Sequence, residues 1–208
     1  GSYALFFRVD GDNSGTASTL RVMPPGSHLM VFDIDGTLTT SDAELFGDAI
    51  VDFFDPFLAD FVPNARFYGW ETTALRADQG YSMLYLTGRP YWLADITREW
   101  LDDLAFPGGT LHTTDNNAEV LPTDAGVGEF KVAYLSHLMA LGFVIDGAYG
   151  NATTDIYAYE GVSIPKDRTW ILGPEGGVSG TVDLGDDFRA HYDVAVTEAD
   201  PTQPFAYP

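Results

Sequence analysis

The stretch His28-Leu-Met-Val-Phe-Asp33-Ile-Asp35-Gly-Thr-Leu-Thr39 joins a short apolar run to an acidic loop. A short apolar run bounded by turn residues is typical of a buried β-strand. The loop that follows offers two carboxylates, Asp33 and Asp35, at the carboxyl end of that strand. The stretch therefore predicts a core strand with chemically active side chains at its end.

The rest of the chain alternates between strand-like and helix-like patterns. Strands are predicted at 81–86, 108–113, 143–149 and 169–172, and helices at 71–78, 91–104, 127–141 and from 150 onward. The capping box Ser41-Asp-Ala-Glu44 predicts another helix, running to about Pro56 or Pro63. Strands alternating with helices indicate a parallel sheet covered on both faces. We therefore predict, for residues 28–208, a Rossmann-like three-layer α/β/α sandwich with a mostly parallel sheet, ending in a hairpin and a short helix after Gly173.

Residues 1–27 are predicted to form a separate β-hairpin extension. Two strand-like runs, 3–9 and 18–23, flank the turn Asp10-Gly-Asp-Asn-Ser-Gly15. This turn matches the first half of a calcium-binding loop, but Arg21 stands where such a loop needs a bidentate glutamate. An acidic hairpin turn is the favoured interpretation, and a calcium-stabilised surface domain is the alternative.

The composition excludes several classes of function. With 31 acidic and 10 basic residues the formal charge is −21, which repels nucleic acids. The absence of cysteine excludes disulfides, thiolate catalysis and zinc–thiolate sites, and the four histidines lack metal-ligand spacing. No apolar run reaches the roughly 18 residues of a transmembrane segment. We expect a soluble chain, cytoplasmic or exported, and the oligomeric state stays open.

Four polar clusters lie where three predicted strands end and where one helix begins. They are Asp33 with Asp35, then Thr87, then Lys131, and finally Asn151 with Asp155. In a doubly wound sheet, ligands bind beyond the carboxyl ends of the strands. We therefore expect these side chains to converge at one edge of the sheet.

Each residue type in these clusters has a use in phosphoryl transfer. One carboxylate can attack phosphorus, and a second carboxylic acid can protonate the leaving oxygen and later activate water. Carboxylate, carbonyl and amide oxygens suit Mg²⁺, while a hydroxyl and an ammonium can hold the phosphoryl oxygens. With Asp35 protonated, the charges of Asp33, Asp155, Lys131 and one Mg²⁺ sum to about +1. A phosphate dianion is thus attracted locally despite the acidic surface.

These clusters, in this order, resemble the haloacid dehalogenase superfamily of phosphatases. A finer resemblance, over about residues 29–175, is to the carboxy-terminal catalytic domain of lipins, the Mg²⁺-dependent phosphatidate phosphatases. It rests on Asp33-Ile-Asp-Gly-Thr-Leu-Thr-Thr-Ser-Asp42, Ala94-Asp-Ile-Thr-Arg98, Tyr149-Gly-Asn-Ala-Thr-Thr-Asp155 and Gly161-Val-Ser-Ile-Pro-Lys-Asp-Arg168.

The resemblance implies a role for each site residue. Asp33 would be the nucleophile and Asp35 the acid and base, with Thr87 and Lys131 holding the phosphate. The Mg²⁺ ligands would be Asp33, Asp35, Asn151 and Asp155. Gly88 and Arg89 are candidate substrate-binding residues, although for Arg89 an ion pair with a nearby acid is an equal alternative.

Two segments, Thr87-Gly-Arg-Pro90 and Ile171-Leu-Gly-Pro174, look more like related domains attached to phosphatidylinositol-transfer proteins. Those domains lack the first Asp of the motif and are thought to bind phosphatidate without cleaving it. Because Asp33 is present, we expect a Mg²⁺-dependent phosphomonoester hydrolase that forms a phospho-aspartate. Phosphatidate or a related phospholipid is one candidate substrate. The alternative is a non-catalytic module that binds phosphatidate or phosphate.

Overall fold

A computed structural model describes residues 1–40, 64–115 and 123–198 of the chain. The strands are β1 (Ser2–Arg8), β2 (Gly15–Arg21), β3 (His28–Phe32), β4 (Ser82–Pro90), β5 (Gly109–Thr114), β6 (Val144–Gly150), β7 (Thr169–Ile171) and β8 (Val182–Asp183). The α-helices are α1 (Gly69–Asp78), α2 (Ala94–Asp103), α3 (Glu129–Ala140), α4 (Thr153–Gly161) and α5 (Arg189–Ala195). The predicted capping box at Ser41 and the helix after it lie outside the described residues.

Six strands form one parallel sheet in the order β5-β4-β3-β6-β7-β8, while β1 and β2 pair antiparallel as a hairpin. The predicted α/β class with a mostly parallel sheet and an amino-terminal hairpin is confirmed. The division into an extension at 1–27 and a domain from 28 onward stays a prediction.

Strand β3 lies at the centre of the sheet and is buried on both faces. Leu29 and Val31 belong to one core cluster, whereas Met30 and Phe32 belong to the other. This division follows from the period of two, since successive side chains of a strand point to opposite faces. The first cluster includes Phe130 of α3 and residues of α4, and the second includes residues of α2. These packed helices give the three layers.

The tail after Gly173 differs from the prediction of a hairpin. Short helical turns at Gly173–Glu175 and Val178–Gly180 bring the chain round, so that β8 pairs parallel with β7. Gly177 and Gly180 have φ values of 80° and 82°, in the left-handed region that glycine enters at no steric cost. The hairpin prediction was wrong because these glycines allow a compact crossover, while the predicted short helix is present as α5.

Strand β4 extends further than the sequence pattern indicates. It continues past Leu86 to Pro90, with a register shift against β5 between those two residues. The chain then makes one 3-10 turn, Tyr91–Leu93, before α2 begins at Ala94. This extension carries Thr87 and Arg89 past the carboxyl ends of the strands, which is where ligands generally bind in open α/β sheets. Within the described residues, no helix has the length and apolar character needed to cross a membrane.

The buried Arg76 is the centre of a polar network on one face of the sheet. The sequence did not indicate this network. The Arg76 side chain donates from Nε to Tyr149 Oη at 2.9 Å and from Nη1 to Glu198 at 2.7 Å and to Gln79 at 2.9 Å. His191 Nε2 lies 2.9 Å from the same tyrosine oxygen. Arg76 Nη2, which can only donate, also lies 3.4 Å from His191 Nε2. This imidazole nitrogen is therefore an unprotonated acceptor, and it can accept the tyrosine proton as well. His191 is therefore neutral in the folded protein.

Protonation of His191 is expected to make folding pH-dependent. Burial and the charge of Arg76 lower the pKa of His191 from 6.5 to about 4. The unfolded chain therefore binds this proton first as the pH falls, so the stability linked to His191 is complete above pH 6.5 and is lost toward pH 4. The slope contributed by this proton is about 1.4 kcal/mol per pH unit.

Denaturant unfolding across this range checks the prediction. His191→Gln should flatten the pH dependence of the unfolding free energy relative to the parent, because the titrating group is gone. His137→Gln is the matched control, since His137 is exposed on α3. Equal slopes in the parent and in His191→Gln would contradict a neutral, buried His191.

Candidate active site

The predicted site residues meet at the carboxyl edge of the sheet. Asp33 directly follows β3, Thr87 lies in the extension of β4, and Asn151 follows β6. Helices α3 and α4 supply Lys131 and Asp155. The main chain supports the convergence, because the Asp33 N–H donates to the Tyr149 carbonyl of β6 at 3.0 Å.

Lys131 forms ion pairs with two acidic residues of the site. Its Nζ lies 2.6 Å from Asp33 Oδ1 and 2.6 Å from Asp155 Oδ1, and the residue is only 2% exposed. Burial alone would lower the pKa of Lys131, but the carboxylates of Asp155 and Asp33 more than offset it and hold the pKa above its ordinary value. The ammonium thus stays charged and joins the two acidic elements.

Asp33 is buried and tightly bonded. Besides the contact with Lys131, its Oδ2 accepts a hydrogen bond from Thr37 Oγ1 at 3.0 Å. Burial raises the pKa of Asp33 to about 7; Lys131 opposes this, and Asp155 and Asp35 add to it. Desolvation of this kind disfavours the charged form of a carboxylic acid, so a further cation beside it would favour ionisation.

Asn151 and Asp155 are placed by the turn that opens α4. Asp155 Oδ2 accepts from the backbone N–H groups of Asn151 at 3.0 Å and Ala152 at 3.1 Å. Asn151 Oδ1 lies 3.2 Å from Thr37 Oγ1. Glycines make room for both side chains: a Cβ on Gly36 would lie 2.0 Å from Asn151 Nδ2, and one on Gly150 would lie 2.7 Å from Asp155 Oδ2.

Asp35 and Thr87 face Arg89 in a second buried group. Arg89 Nε lies 3.0 Å from both Asp35 oxygens, and its Nη2 lies 2.7 Å from Asp35 Oδ1. Thr87 Oγ1 donates to Asp35 Oδ2 at 2.9 Å. Of the two interpretations left open for Arg89, the structure therefore shows the ion pair. Its role as a substrate-binding residue stays a prediction, as do the roles of Thr87 and Gly88.

Gly88 packs against the segment that leads into α3. A Cβ at Gly88 would lie 2.9 Å from Val127 Cγ2, just before α3. This glycine therefore lets the extension of β4 approach the start of the helix that carries Lys131.

Two residues of the site were not assigned from the sequence. Thr37, whose hydroxyl lies between Asp33 and Asn151, was already visible as the threonine of the D-x-D-x-T pattern. Arg66 donates from Nη2 to the Gly36 carbonyl at 2.6 Å and from Nε to the Thr37 carbonyl at 3.1 Å. No local pattern marks Arg66, because its partners lie about thirty residues earlier in the chain.

The donor atoms at this edge fit a hard divalent cation. Asp33 and Asp155 supply carboxylate oxygens and Asn151 an amide oxygen, a chemistry that suits Mg²⁺ better than softer metals. Within the described ranges, no group of three or more His, Cys, Asp or Glu side chains is arranged to hold a metal ion. A cation there would rely on the carboxylates of Asp33 and Asp155, the Asn151 amide, a backbone carbonyl and water. The Asp35 carboxylate, also predicted as a ligand, is bound to Arg89 in the structure.

Comparison with known proteins assigns the family. The model of the LNS2 domain of PITM 1–3 matches residues 30–173. The chain belongs to this LNS2 family. It is 30% identical to human membrane-associated phosphatidylinositol transfer protein 3 over 83% of its own length and 16% of that protein. It is also 29% identical to the phosphatidate phosphatase PAH1 of Arabidopsis thaliana, over 73% of this chain and 17% of that enzyme.

The fold has counterparts among solved structures. A HAD-like phosphatase from Mesorhizobium loti superposes with a TM-score of 0.56 at 16% identity, over 93% of this chain and 91% of that one. At this identity the likeness shows the fold alone. The resemblance to haloacid-dehalogenase-type phosphatases is thereby confirmed for the fold, and the resemblance to lipin-like domains is supported by the LNS2 match and by the phosphatidate phosphatase relative. The chain spans only a small part of the length of its curated relatives.

The glycine at position 36 provides a direct test of the site geometry. Gly36→Ala forces a residue at φ 75° to carry a Cβ and also requires Asn151 to move. Gly26→Ala is the matched control, because Gly26 has φ 85° but no atom within 4 Å of the added Cβ. Both changes incur roughly 1–2 kcal/mol of backbone strain. Gly36→Ala should lower the free energy of unfolding by more than Gly26→Ala does, because Asn151 must also move. If denaturant unfolding shows the same loss of unfolding free energy for both variants, the close packing of Asn151 against Gly36 is contradicted.

Proposed function

We propose that this LNS2 domain is a Mg²⁺-dependent phosphomonoester hydrolase that forms a phospho-aspartate on Asp33, with phosphatidate or a related phospholipid as its substrate class. The observation that carries the proposal is the Lys131 ammonium, 2.6 Å from Asp33 and from Asp155. An ammonium beside a buried carboxylate gives a phosphoryl group both a nucleophile and a fixed positive charge.

The first step is attack of an Asp33 oxygen on phosphorus, with departure of the leaving oxygen in line. Lys131 and the Thr37 hydroxyl, which hold Asp33 in the structure, keep the attacking carboxylate oriented. Asp33, the Asp35 carbonyl, Asn151 and Asp155 would hold Mg²⁺, which when bound neutralises the charge on the phosphoryl oxygens. Positioning and charge neutralisation are the main demands of this chemistry.

The proton transfers belong to Asp35. It would protonate the leaving oxygen in the first step and accept a proton from the water that hydrolyses the phospho-aspartate in the second. Both tasks require Asp35 to leave the hydrogen bonds it makes with Arg89. Thr87 would turn from Asp35 to a phosphoryl oxygen in the same rearrangement.

A second candidate function is phosphate recognition without turnover. The paired Asp35 and Arg89 favour it, because both Asp35 oxygens are occupied as acceptors by Arg89 and Thr87 and neither is left for a leaving oxygen. The family comparison includes a protein named as a phosphatidylinositol transfer protein as well as one named as a phosphatidate phosphatase. Release of phosphate distinguishes the two candidates.

Replacing the nucleophile tests the proposed reaction. Asp33→Asn should lower the rate of Mg²⁺-dependent phosphate release from phosphatidate and from an aryl phosphate by on the order of a thousandfold or more, because no carboxylate remains to attack. Asp102→Asn, at an exposed position of α2, is the matched control and should keep full activity. Undiminished turnover by Asp33→Asn would refute the mechanism. Tight phosphatidate binding with no release by the unmodified chain would favour the binding module.

Mg²⁺ binding is tested separately from turnover. Mg²⁺ should raise the melting temperature of the parent, since a ligand that binds the folded state stabilises it. In Asn151→Ala the same stabilisation should require at least about tenfold more Mg²⁺, the loss typical of residues that only support a metal ligand. Asn64→Ala, an exposed position, is the control. An unchanged Mg²⁺ response in Asn151→Ala would remove Asn151 from the ligand set.

A further inference from the structure

Arg89 and Asp35 occupy each other in a buried polar cluster. The Nε and Nη2 atoms of the guanidinium bind both Asp35 oxygens at 2.7–3.0 Å, and the two residues are 5% and 8% exposed. The edge of a guanidinium formed by these two nitrogens matches a carboxylate and a phosphate equally well. While the pair lasts, this edge cannot bind phosphate and Asp35 cannot serve the leaving oxygen.

Thr87 is part of the same arrangement. Its hydroxyl donates to Asp35 Oδ2 at 2.9 Å and accepts from the Arg89 backbone N–H at 3.1 Å. A hydroxyl has one proton, so Thr87 cannot donate to a phosphoryl oxygen until Asp35 moves. The hydrogen bond between Asp35 and Thr87 therefore keeps both residues from their proposed roles, Asp35 as the acid and Thr87 as a donor to phosphate.

The other edge of Arg89 has a different anchor. Its Nη1 donates to Thr97 Oγ1 at 2.9 Å, and Thr97 donates in turn to the Leu93 carbonyl at 2.8 Å. Thr97 is fully buried in α2. This anchor does not involve Asp35, so the carboxylate can leave without the guanidinium losing its place.

We propose that a phosphate monoester dianion displaces the Asp35 carboxylate from the Nε–Nη2 edge of Arg89, so that Asp35 can move toward the leaving oxygen and take up from solvent the proton that it donates there. The inference rests on the proposed phosphatase function, and it adds an explanation of how substrate binding frees Asp35 to act as the acid. Arg89 is thereby both a phosphate-binding residue and the partner that holds Asp35 until phosphate arrives. The exchange itself rearranges hydrogen bonds only, and the O–H bond that Asp35 forms on taking up the proton comes after it.

A double-mutant cycle with inorganic phosphate as the ligand tests the exchange. Calorimetric dissociation constants are measured in Mg²⁺ buffer for the parent, Asp35→Asn, Arg89→Gln and the double variant. Asp35→Asn should bind phosphate about tenfold more tightly because the competitor is gone, and Arg89→Gln about tenfold more weakly, the range of one charged hydrogen bond. In the Arg89→Gln background, Asp35→Asn should bring no gain.

The cycle separates exchange from simple repulsion. Removing a negative charge near an anion would help binding in both backgrounds, so an equal gain with and without Arg89 overturns the proposal, as does no gain at all. The control cycle uses Asp95→Asn and Arg98→Gln, an exposed pair at 3.1 Å on α2, and should leave phosphate affinity unchanged. If a variant of the buried pair does not fold, the exchange is tested instead by ¹⁵N spectra of the arginine side chains in the parent. The Arg89 Nε–H signal should shift on adding phosphate, and an unshifted signal overturns the proposal.

The cycle also distinguishes a free phosphate from a lipid headgroup. It is repeated with phosphatidylcholine vesicles that contain phosphatidate, with phosphatidylcholine alone as the blank. Dependence of the Asp35→Asn gain on Arg89 with both ligands extends the exchange to a lipid headgroup, whereas dependence with inorganic phosphate alone confines it to soluble phosphates. Absence of that dependence with inorganic phosphate overturns the exchange whatever the vesicles show. Because binding is measured without turnover, a chain that binds in this way but releases no phosphate would refute the hydrolase and leave the exchange standing.

Discussion

A buried ammonium held between two carboxylates is the constraint on which the site depends. Lys131 on α3 lies 2.6 Å from Asp33 after β3 and from Asp155 on α4, so one charge ties three elements together. Burial of an ion pair is costly, and removing one partner typically costs about 3–5 kcal/mol because the other charge is left uncompensated. The elements must therefore meet in this geometry. With both carboxylates ionised the trio carries a net charge of −1 (−2 from the acids, +1 from Lys131), which leaves the site receptive to a cation.

The sheet beneath the site holds the same strand ends from below. Tyr149 accepts through its carbonyl from the Asp33 N–H and from Tyr159 Oη, while its ring stacks between Phe32 and Trp170 at centroid distances of 4.4 and 4.6 Å. Its hydroxyl joins Arg76 and His191 on the far side of that stack. One residue thus links the acidic loop, the aromatic core and the buried arginine.

What could be predicted from the sequence follows from local pattern and strand order. Apolar runs and helical periodicity indicate the elements, and parallel strands place Asp33, Thr87 and Asn151 at a common edge. Pairings between distant side chains carry no such signal: Arg76 and His191 lie 115 positions apart, and nothing in either segment marks them as partners. The parallel β8 depends on glycine turns whose direction is decided by packing. For Arg89 the sequence allowed two partners, since a guanidinium binds carboxylate and phosphate alike.

The distribution of positive charge bears on how a chain with a formal charge of −21 could hold the phosphate that we propose as its ligand. Three of its ten basic residues, Arg76, Arg89 and Lys131, are buried, and each is paired with an acid. Two of these three, Arg89 and Lys131, lie at the carboxyl edge of the sheet. Dissolved salt screens the surface carboxylates over a Debye length of about 8 Å at physiological ionic strength, whereas buried charges are screened far less. A phosphate that reaches this edge would therefore meet the field of the buried cations rather than that of the surface carboxylates.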